Sequence, residues 1–461
     1  GQGFSQEPGV HYQESYAPTV LSSTTRLLFA VAAAKRWDMR QLDVKTAFLI
    51  PRLPADELLY LRPPKDFKHI MKHLDVHLEE GVLLKLNAAI YGLRQAGHYW
   101  NNAITTALVG FGLVRSEHDP CLFTKFEGDE LVLMVAIYVD DICAAGLPAH
   151  VSKVTSDLFA AFPMKDLGEP RVFCGVEVSR NADGDISLVQ TRYVENLLRK
   201  ANLHDAKPAP TPTSCYRLDC ETPSSKTERA AMLGVPYKEN VGGLIWVAIN
   251  TRPDIAFAVH QVARCAADPR PCHWTAVKRI LRYLRGTTRL GLTFSPLPDG
   301  AMPQIRAYTD SDWAGDSTRR TTASFQLFFG DTPLQWHVRL VRNVCLSSME
   351  SELVALCEGV KTLVHTARIV SDLGGLQQQR PYGVYVDSDA ARLALRRPGP
   401  TKRSRHIEVR YFWVKERVDD GTISIERVPG TDNPADIANV QAPWSTSFQS
   451  SGAPAGASHV D

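Results

Sequence analysis

Apolar positions recur along this chain at two spacings, every second residue in some stretches and every third or fourth in others, and the switches between them mark out elements. Thr24 to Trp37 (TTRLLFAVAAAKRW) reads as a helix with a basic end. MRQLDVKTAFLI follows as a short alternating strand with Asp43 near its tip, and Tyr91 to Leu113 reads as the next helix, closed by glycines. A hairpin comes next: CLFTKF, a turn at Gly128-Asp129-Glu130, and LVLMVAIYVDDICAAG as the partner strand. Val151 to Phe162 is an amphipathic helix, and VFCGVEVSR and DISLVQ flank an Asp183-Gly184 turn as a second hairpin. The Pro-rich KPAPTPTSC, Lys207 to Cys215, is a first linker candidate, followed by two helices and a second linker candidate, SPLPDGAMP, Ser295 to Pro303. Strands and helices then run to near Trp444, and the last residues, STSFQSSGAPAGASHVD, are small, polar and expected to be disordered.

Composition narrows this picture. A chain of 461 residues exceeds the roughly 250 to 300 at which single cores stop growing, so two to four domains are expected. Hydrophobic residues at 44% and charged residues at 22% are ordinary globular values, so a large core is expected. The formal net charge of +2 gives no ground for nucleic-acid binding, which has to come from where the charge lies. Nine cysteines, an odd number with no C-x-x-C pair, argue against a disulfide framework or a structural zinc site and for a reducing compartment. The chain opens on Gly1, shows no cleavable apolar leader or long apolar span, and reads as an internal piece of a longer, soluble, intracellular chain.

Carboxylates sit where apolar strands would bury them. Asp140 and Asp141 interrupt an apolar run and Asp43 ends another; two adjacent carboxylates repel, and burying them needs cations or a metal. Gathered together, the three are a site for hard divalent cations, and two such ions about 4 Å apart would align an in-line attack on a phosphate. The plainer reading, that each Asp ends a strand or sits in a turn, stays open at this point. In the second half, AYTDSDWAGD places Asp310, CLSSMESELVAL Glu350, GVYVDSDAA Asp387 and DNPADIAN Asp436 at the ends of four separate elements, again the make-up of a two-metal phosphodiester site. Ser347 or Ser348 followed by Glu350 equally resembles a helix cap with an acidic first turn. From Pro269 to Pro298 there is no Asp or Glu; on a helix, Trp274, Val277, Ile280, Leu281 and Leu284 share one stripe, and Lys278, Arg282, Arg285 and Arg289 another that could track phosphates. Arg396 to His406 (RRPGPTKRSRH) is a second basic stretch, with Lys402, Arg403 and Arg405; His406 reads as a packed strand residue.

Ordered motifs then carry a resemblance. FSQEPGVHYQESYAPTV, QLDVKTAFL, LYLRPP, KLNAAIYGLRQAGHYW, AIYVDDI, MKDLGE, CGVEVSR, NTRPDIAFAV and HWTAVKRILRYLRGT resemble, in order and spacing, the reverse transcriptase of copia-type LTR-retrotransposon Pol polyproteins. TDSDWAGD, LSSMESE, VYVDSDAA, SRHIEVRYFWVKE and NPADI are similar to the RNase H domain that follows it. The resemblance implies an α+β and α/β make-up: a right-hand polymerase with truncated fingers and palm over 1–206, a thumb/connection over 207–302, and an RNase H-like domain with a mixed five-stranded sheet over 303–444, before a disordered tail at 445–461. It implies metal-binding palm carboxylates Asp43, Asp140 and Asp141, Phe48 crowding the incoming sugar and Gln95 holding the nucleotide. It further implies nuclease ligands Asp310, Glu350, Asp387 and Asp436, and phosphate contacts from Lys278, Arg282, Arg285, Arg289, Lys402, Arg403 and Arg405.

The implied cofactor is Mg2+, two per site, with Mn2+ as a substitute. The implied partners are an RNA template, a DNA primer, RNA–DNA hybrid and deoxynucleoside triphosphates. Protease and integrase parts, the latter serving DNA integration, lie outside this chain, a homodimer is allowed, no membrane is involved, and the setting is a cytoplasmic virus-like particle with nuclear access. The sequence departs from the pattern at FLIPRLPADEL, STRRTTASF, Asp389 and ADIANVQAP, and the Lys and Arg finger strands of the family lie upstream of its opening. The alternative to an active enzyme is a decayed or host-retained fragment that binds nucleic acid without polymerising.

Overall fold

The computed structural model describes residues 3–54, 57–63, 67, 71, 81–214, 217–298, 303–315, 317–374, 380–396 and 408–438. The tail at 445–461 and the basic loop bearing Lys402, Arg403 and Arg405, with His406, lie outside the described residues. Two compact units divide the chain, Gly1–Leu21 with Asp38–Pro170, and Ser22–Trp37 with Arg171–Asp461. Among the described residues no helix is long and apolar enough to cross a membrane.

The first unit is built on β1 (Asp38–Val44), a short β2 (Tyr60–Leu61) and β3 (Leu84–Lys85) pair, β4 (Val114–Arg115), β5 (Leu122–Glu127), β6 (Glu130–Tyr138), β7 (Asp141–Gly146) and β8 (Met164–Gly168). Its main sheet runs β4-β5-β6-β7-β1-β8, antiparallel throughout. Alternation puts Leu133, Val135 and Ile137 of β6, Ile142 and Ala144 of β7, and Leu42 and Val44 of β1 on one face. There they meet Trp100, Ile104 and Leu108 of helix Ala96–Gly110 and Val151, Val154 and Leu158 of helix Pro148–Ala161, all buried. Apolar periodicity alone does not find the start of the first of these helices: Tyr91 to Gln95 form turns, with Gly92 in the left-handed region at φ 92°, and the helix begins only at Ala96.

The second unit opens with helix Ser22–Ala34 and adds a sheet of order β12-β11-β10-β9, from β9 (Val172–Phe173), β10 (Val176–Arg180), β11 (Ile186–Val189) and β12 (Leu292–Phe294). Between the two linker candidates stand four helices where two were expected, Lys226–Ala231, Tyr237–Asn250, Ala256–Arg264 and Pro271–Gly286. Pro253 accounts for one of the two extra helices, because a proline cannot continue a helix: Pro253–Ile255 is a 3-10 turn that splits one apolar stretch into two, and the short Lys226–Ala231 is the other. The apolar stripe read from the sequence is correct, with Val277, Ile280, Leu281 and Leu284 buried and Trp274 packed against them. The helix stops at Gly286, however, so Arg289 lies beyond it.

The Pro-rich stretch is not a free linker. Arg282 Nε donates to Lys207 O at 2.7 Å, Ala209 N donates to Arg282 O at 3.2 Å, and Ala209 is buried in the same core as the helix. Cys220 and Cys265, 45 residues apart in sequence and with Cα atoms 4.8 Å apart, form a disulfide, where the cysteine pattern argued for a reducing compartment; no other disulfide joins the described cysteines. Spacing along the chain cannot show such a pair, since only packing brings the two segments together.

The remaining sheet is mixed and five-stranded, as expected, in the order β15-β14-β13-β16-β17, from β13 (Ile305–Asp312), β14 (Thr322–Phe329), β15 (Thr332–Leu340), β16 (Tyr382–Val386) and β17 (Ile423–Arg427). β13 pairs antiparallel with β14 and parallel with β16, and β16 parallel with β17. Helix Ser348–Ser371 lies across β13 and β14.

A buried ion pair fixes the helical part. Arg252 Nη2 donates to Asp254 Oδ2 at 2.7 Å, its Nη1 to Thr287 O at 2.7 Å, and the Tyr283 hydroxyl donates to Asp254 Oδ2 at 2.9 Å. Both charged side chains are almost fully buried. Burial alone would lower the Arg252 pKa, but the Asp254 carboxylate beside it raises it overall. Removing one partner leaves a buried charge unanswered, so Asp254→Ala is expected to cost about 3–5 kcal/mol in urea unfolding, and a double replacement by apolar residues of similar size much less.

Candidate active sites

The second unit gathers three carboxylates. Asp310 comes from the end of β13, Asp387 follows the last residue of the neighbouring parallel strand β16, and Glu352 projects from the first turns of helix Ser348–Ser371; one oxygen of each lies within 4.8 Å of the others. The helix reaches this position because Gly359, two turns beyond Glu352 on the same face, has no side chain: a Cβ there would stand 2.5 Å from Thr309 Cγ2 on β13. Asp312, two residues past Asp310, is outside the cluster and ion-paired to Arg217 at 2.8 Å.

Electrostatics at the cluster run against its own charge. Burial, then the Asp310 and Asp387 carboxylates, push the Glu352 pKa up to about 8, and burial raises that of Asp387. Glu352 Oε1 accepts the Ser311 hydroxyl at 2.8 Å, while its Oε2 is buried with no hydrogen-bond partner. Once Glu352 gives up its proton, three carboxylates from three elements, with Glu352 Oε2 buried and unanswered, fit a hard divalent cation.

Glu350, the glutamate singled out from the sequence, is not in this cluster. It occupies the third position of the helix, where its N–H donates to Ser347 Oγ at 3.1 Å and its Oε2 accepts Leu346 N at 2.6 Å, the helix-cap arrangement. Two residues are about 200° apart around a helix, so Glu350 and Glu352 cannot serve one site. Periodicity does not separate the two: helical spacing from Glu350 passes through buried Leu353, Val354 and Cys357 before reaching exposed Lys361, just as that from Glu352 passes through buried Leu356 and Gly359. Asp436 is held near by Asn433 Nδ2 donating to Thr309 O at 3.0 Å and Ser324 Oγ donating to Ala435 O at 3.0 Å, in the 3-10 turn Pro434–Ala438; its carboxylate is not one of the three within 4.8 Å.

In the first unit, LVLMVAIYVDDICAAG is two strands and not one. β6 ends at Tyr138, β7 begins at Asp141, and Tyr138 pairs with Asp141 across the two-residue turn Val139-Asp140. Val139 takes φ 58°, a left-handed conformation that a β-branched residue adopts only under strain of about 1–3 kcal/mol. The turn is pinned by Trp100 Nε1 donating to Val139 O at 2.5 Å and Val44 N donating to Asp140 O at 2.8 Å. Register sets Asp43 between Asp141 on β7 and Lys165 on β8, giving a row Tyr138, Asp141, Asp43, Lys165 across four strands. Gln41 Nε2 donates to Asp141 Oδ1 at 2.7 Å. Asp43, Asp140 and Asp141 are half-buried and make no cluster as tight as that of the second unit. Lys165 and Gln41 were missed, because only strand pairing shows what stands beside Asp43 and Asp141.

Phe48 lies in the 3-10 turn Ala47–Leu49, half-buried, its ring 5.1 Å from that of Tyr91. Gln95 is fully buried, and its amide is engaged: Nε2 donates to Glu57 Oε1 at 2.8 Å and to His11 O at 3.2 Å, and Oε1 accepts Gln6 Nε2 at 3.0 Å. Contact with a nucleotide would require those partners to release it. In the second unit, Arg282 and Arg285 each direct Nε to a backbone carbonyl, of Lys207 and His204, and Lys278 lines a cavity of about 530 Å³ with Leu218 and Gln261. Two of the cations expected to track phosphates therefore hold a chain segment in place.

The raised Glu352 pKa has a consequence for stability. Between about 4.5, its ordinary value, and about 8, the folded chain keeps a proton that the unfolded chain loses, so without metal stability falls as pH rises through this window. Glu352→Gln removes the effect. Thermal melts in chelator across the window are expected to show wild type losing stability relative to Glu352→Gln as pH rises, with Mg2+ restoring wild type most at the upper end.

Residues 1–215 match the family described as Reverse transcriptase (RNA-dependent DNA polymerase). The chain is 34% identical over 447 residues to the retrovirus-related Pol polyprotein from transposon TNT 1-94 of Nicotiana tabacum, covering 96% of this chain and 32% of that one. It is 32% identical over 439 residues to the polyprotein from transposon RE2 of Arabidopsis thaliana, covering 94% and 29%. The chain spans about a third of the length of these curated relatives. Among solved structures it is similar to the foamy viral protease-reverse transcriptase in complex with RNA/DNA hybrid, with TM-score 0.50 and 12% identity over 93% of this chain and 48% of that one. That likeness concerns the fold alone and bears out the expected mixed make-up of polymerase and RNase H-like parts. The motif order and the extent of these matches together establish that the chain belongs to the retrovirus-related Pol polyproteins of copia-type transposons, with a reverse transcriptase domain in its first 215 residues.

Proposed function

We propose that this chain supplies the RNA-directed DNA polymerase and ribonuclease H parts of a transposon Pol polyprotein. The observation that carries the reading is the convergence of Asp310, Glu352 and Asp387 from a strand, a helix and the neighbouring strand, with one Glu352 oxygen buried and unanswered. Those three side chains would hold divalent cations, Mg2+ with Mn2+ as a substitute, which when bound supply charge neutralisation at the scissile phosphate and an acidified water. The protein's own contribution is placement. β13 and β16 fix two carboxylates on a rigid parallel pair, and the helix sets the third against them. The substrate is the RNA strand of an RNA–DNA hybrid, whose 2′-hydroxyls distinguish it from duplex DNA across the minor groove. In the first unit Asp43, Asp140 and Asp141 are the corresponding groups for nucleotide transfer from deoxynucleoside triphosphates to a primer on an RNA template. Lys165, the cross-strand neighbour of Asp43, would be the cation that meets a triphosphate there.

A second reading, a fragment that binds nucleic acid without polymerising, is favoured for the first unit by the sealed amide of Gln95 and the looser spacing of its carboxylates. Cleavage of a labelled RNA–DNA hybrid with Mg2+, beside primer extension on an RNA template, tests both. Asp387→Asn and Glu352→Gln are expected to lower cleavage on the order of a hundredfold or more, while Glu350→Gln stays within about threefold. Loss of cleavage in Glu350→Gln but not Glu352→Gln would overturn the assignment of the helix ligand. Extension abolished by Asp140→Asn supports polymerase function, and no extension alongside intact cleavage leaves the second reading for that unit.

A further inference from the structure

Thr309 and Ser311 share the side of β13 that faces helix Ser348–Ser371, as the close approach of Thr309 to Gly359 shows. From there Ser311 Oγ meets two groups on the helix, Glu352 Oε1 at 2.8 Å and Ser351 Oγ at 2.8 Å, and Ser351 Oγ in turn lies 2.7 Å from Ser348 O. The Ser311 hydroxyl is the donor to Glu352 Oε1. Ser351 then donates to Ser311 or to the Ser348 carbonyl, tying the pair to the first turn of the helix.

We propose that Ser311 is a positioning residue for the nuclease: by donating to Oε1 it fixes the Glu352 carboxylate so that Oε2 faces Asp310 and Asp387. The proposal rests on the reading of that cluster as a metal centre. A long, flexible side chain with one oxygen held has one orientation to offer, and a group that orients a ligand in this way is typically worth about 10–100-fold in metal affinity. Ser311 itself touches neither metal nor substrate.

The test is calorimetric titration of Mn2+ into the full chain carrying Asp140→Asn and Asp141→Asn, so that the first unit contributes no carboxylate pair. Ser311→Ala is expected to weaken binding about tenfold and to lower kcat for hybrid cleavage with KM unchanged, while Ser311→Thr, which keeps the hydroxyl, stays near the parent. Glu352→Gln is the reference. If it leaves Mn2+ binding unaltered, the metal-centre reading itself falls. If it abolishes binding but Ser311→Ala does not weaken it, or Ser311→Thr weakens it as much as Ser311→Ala, the positioning role is overturned. Ser311→Cys, similar in shape but a weak donor, repeats the comparison should the alanine variant unfold, and is expected to behave as the alanine does.

Discussion

Mutual repulsion among buried carboxylates is the constraint around which the second unit is organised. Three acidic oxygens within 4.8 Å, two of them on the buried residues Asp310 and Glu352, 6% and 8% exposed, oppose folding unless something rigid holds them and a cation answers them. The surrounding fold supplies the rigidity. Asp310 and Asp387 stand at the ends of two parallel strands in the middle of a five-stranded sheet, so neither can retreat without breaking backbone pairing. The helix that carries Glu352 cannot retreat either, because Gly359 brings its backbone against Thr309 and its buried face runs from Ser351 to Val370. A 3-10 turn anchored through Asn433 and Ser324 closes the arrangement from the chain's far end.

The first unit meets a related problem differently. Its carboxylates sit on the exposed end of an antiparallel sheet and not in a buried cluster, and the stress is in the backbone: Val139 is held in a left-handed conformation by the Trp100 and Val44 hydrogen bonds. That two-residue turn sends the chain back on itself, so that Asp141 comes to face Asp43 across the β1–β7 pair while Asp140 occupies the turn itself. Lys165 on the other side of Asp43 gives this row a positive end, which the cluster of the second unit lacks among its own three groups.

Basic residues are divided between structure and surface in a way charge counting misses. Arg252 is committed to a buried pair, Arg282 holds the Lys207 carbonyl of the Pro-rich stretch and Arg285 that of His204 just before it, turning what composition reads as a linker into a packed strap over the helix Pro271–Gly286. A guanidinium, with several donors in one plane, is suited to gripping carbonyls in this manner, which is why a row of arginines on a helix is an ambiguous sign of phosphate binding.

By itself the sequence determined most of the elements, the apolar stripe of the basic helix, the family, and the strand settings of Asp43, Asp141, Asp310 and Asp387, because these depend on local periodicity and on motifs that run in order along the chain. It did not determine which of two glutamates two residues apart enters the three-carboxylate cluster, since buried apolar residues follow both at helical spacing and only the packing of the helix against β13 turns Glu352 inward and leaves Glu350 as the cap. The Val139 turn, the Lys165 and Gln41 neighbours of Asp43 and Asp141, the pairing of Cys220 with Cys265 and the engagement of Gln95 were likewise decided by tertiary structure. Each joins residues through strand register or helix packing, and these contacts are set by which surfaces meet and not by distance along the chain.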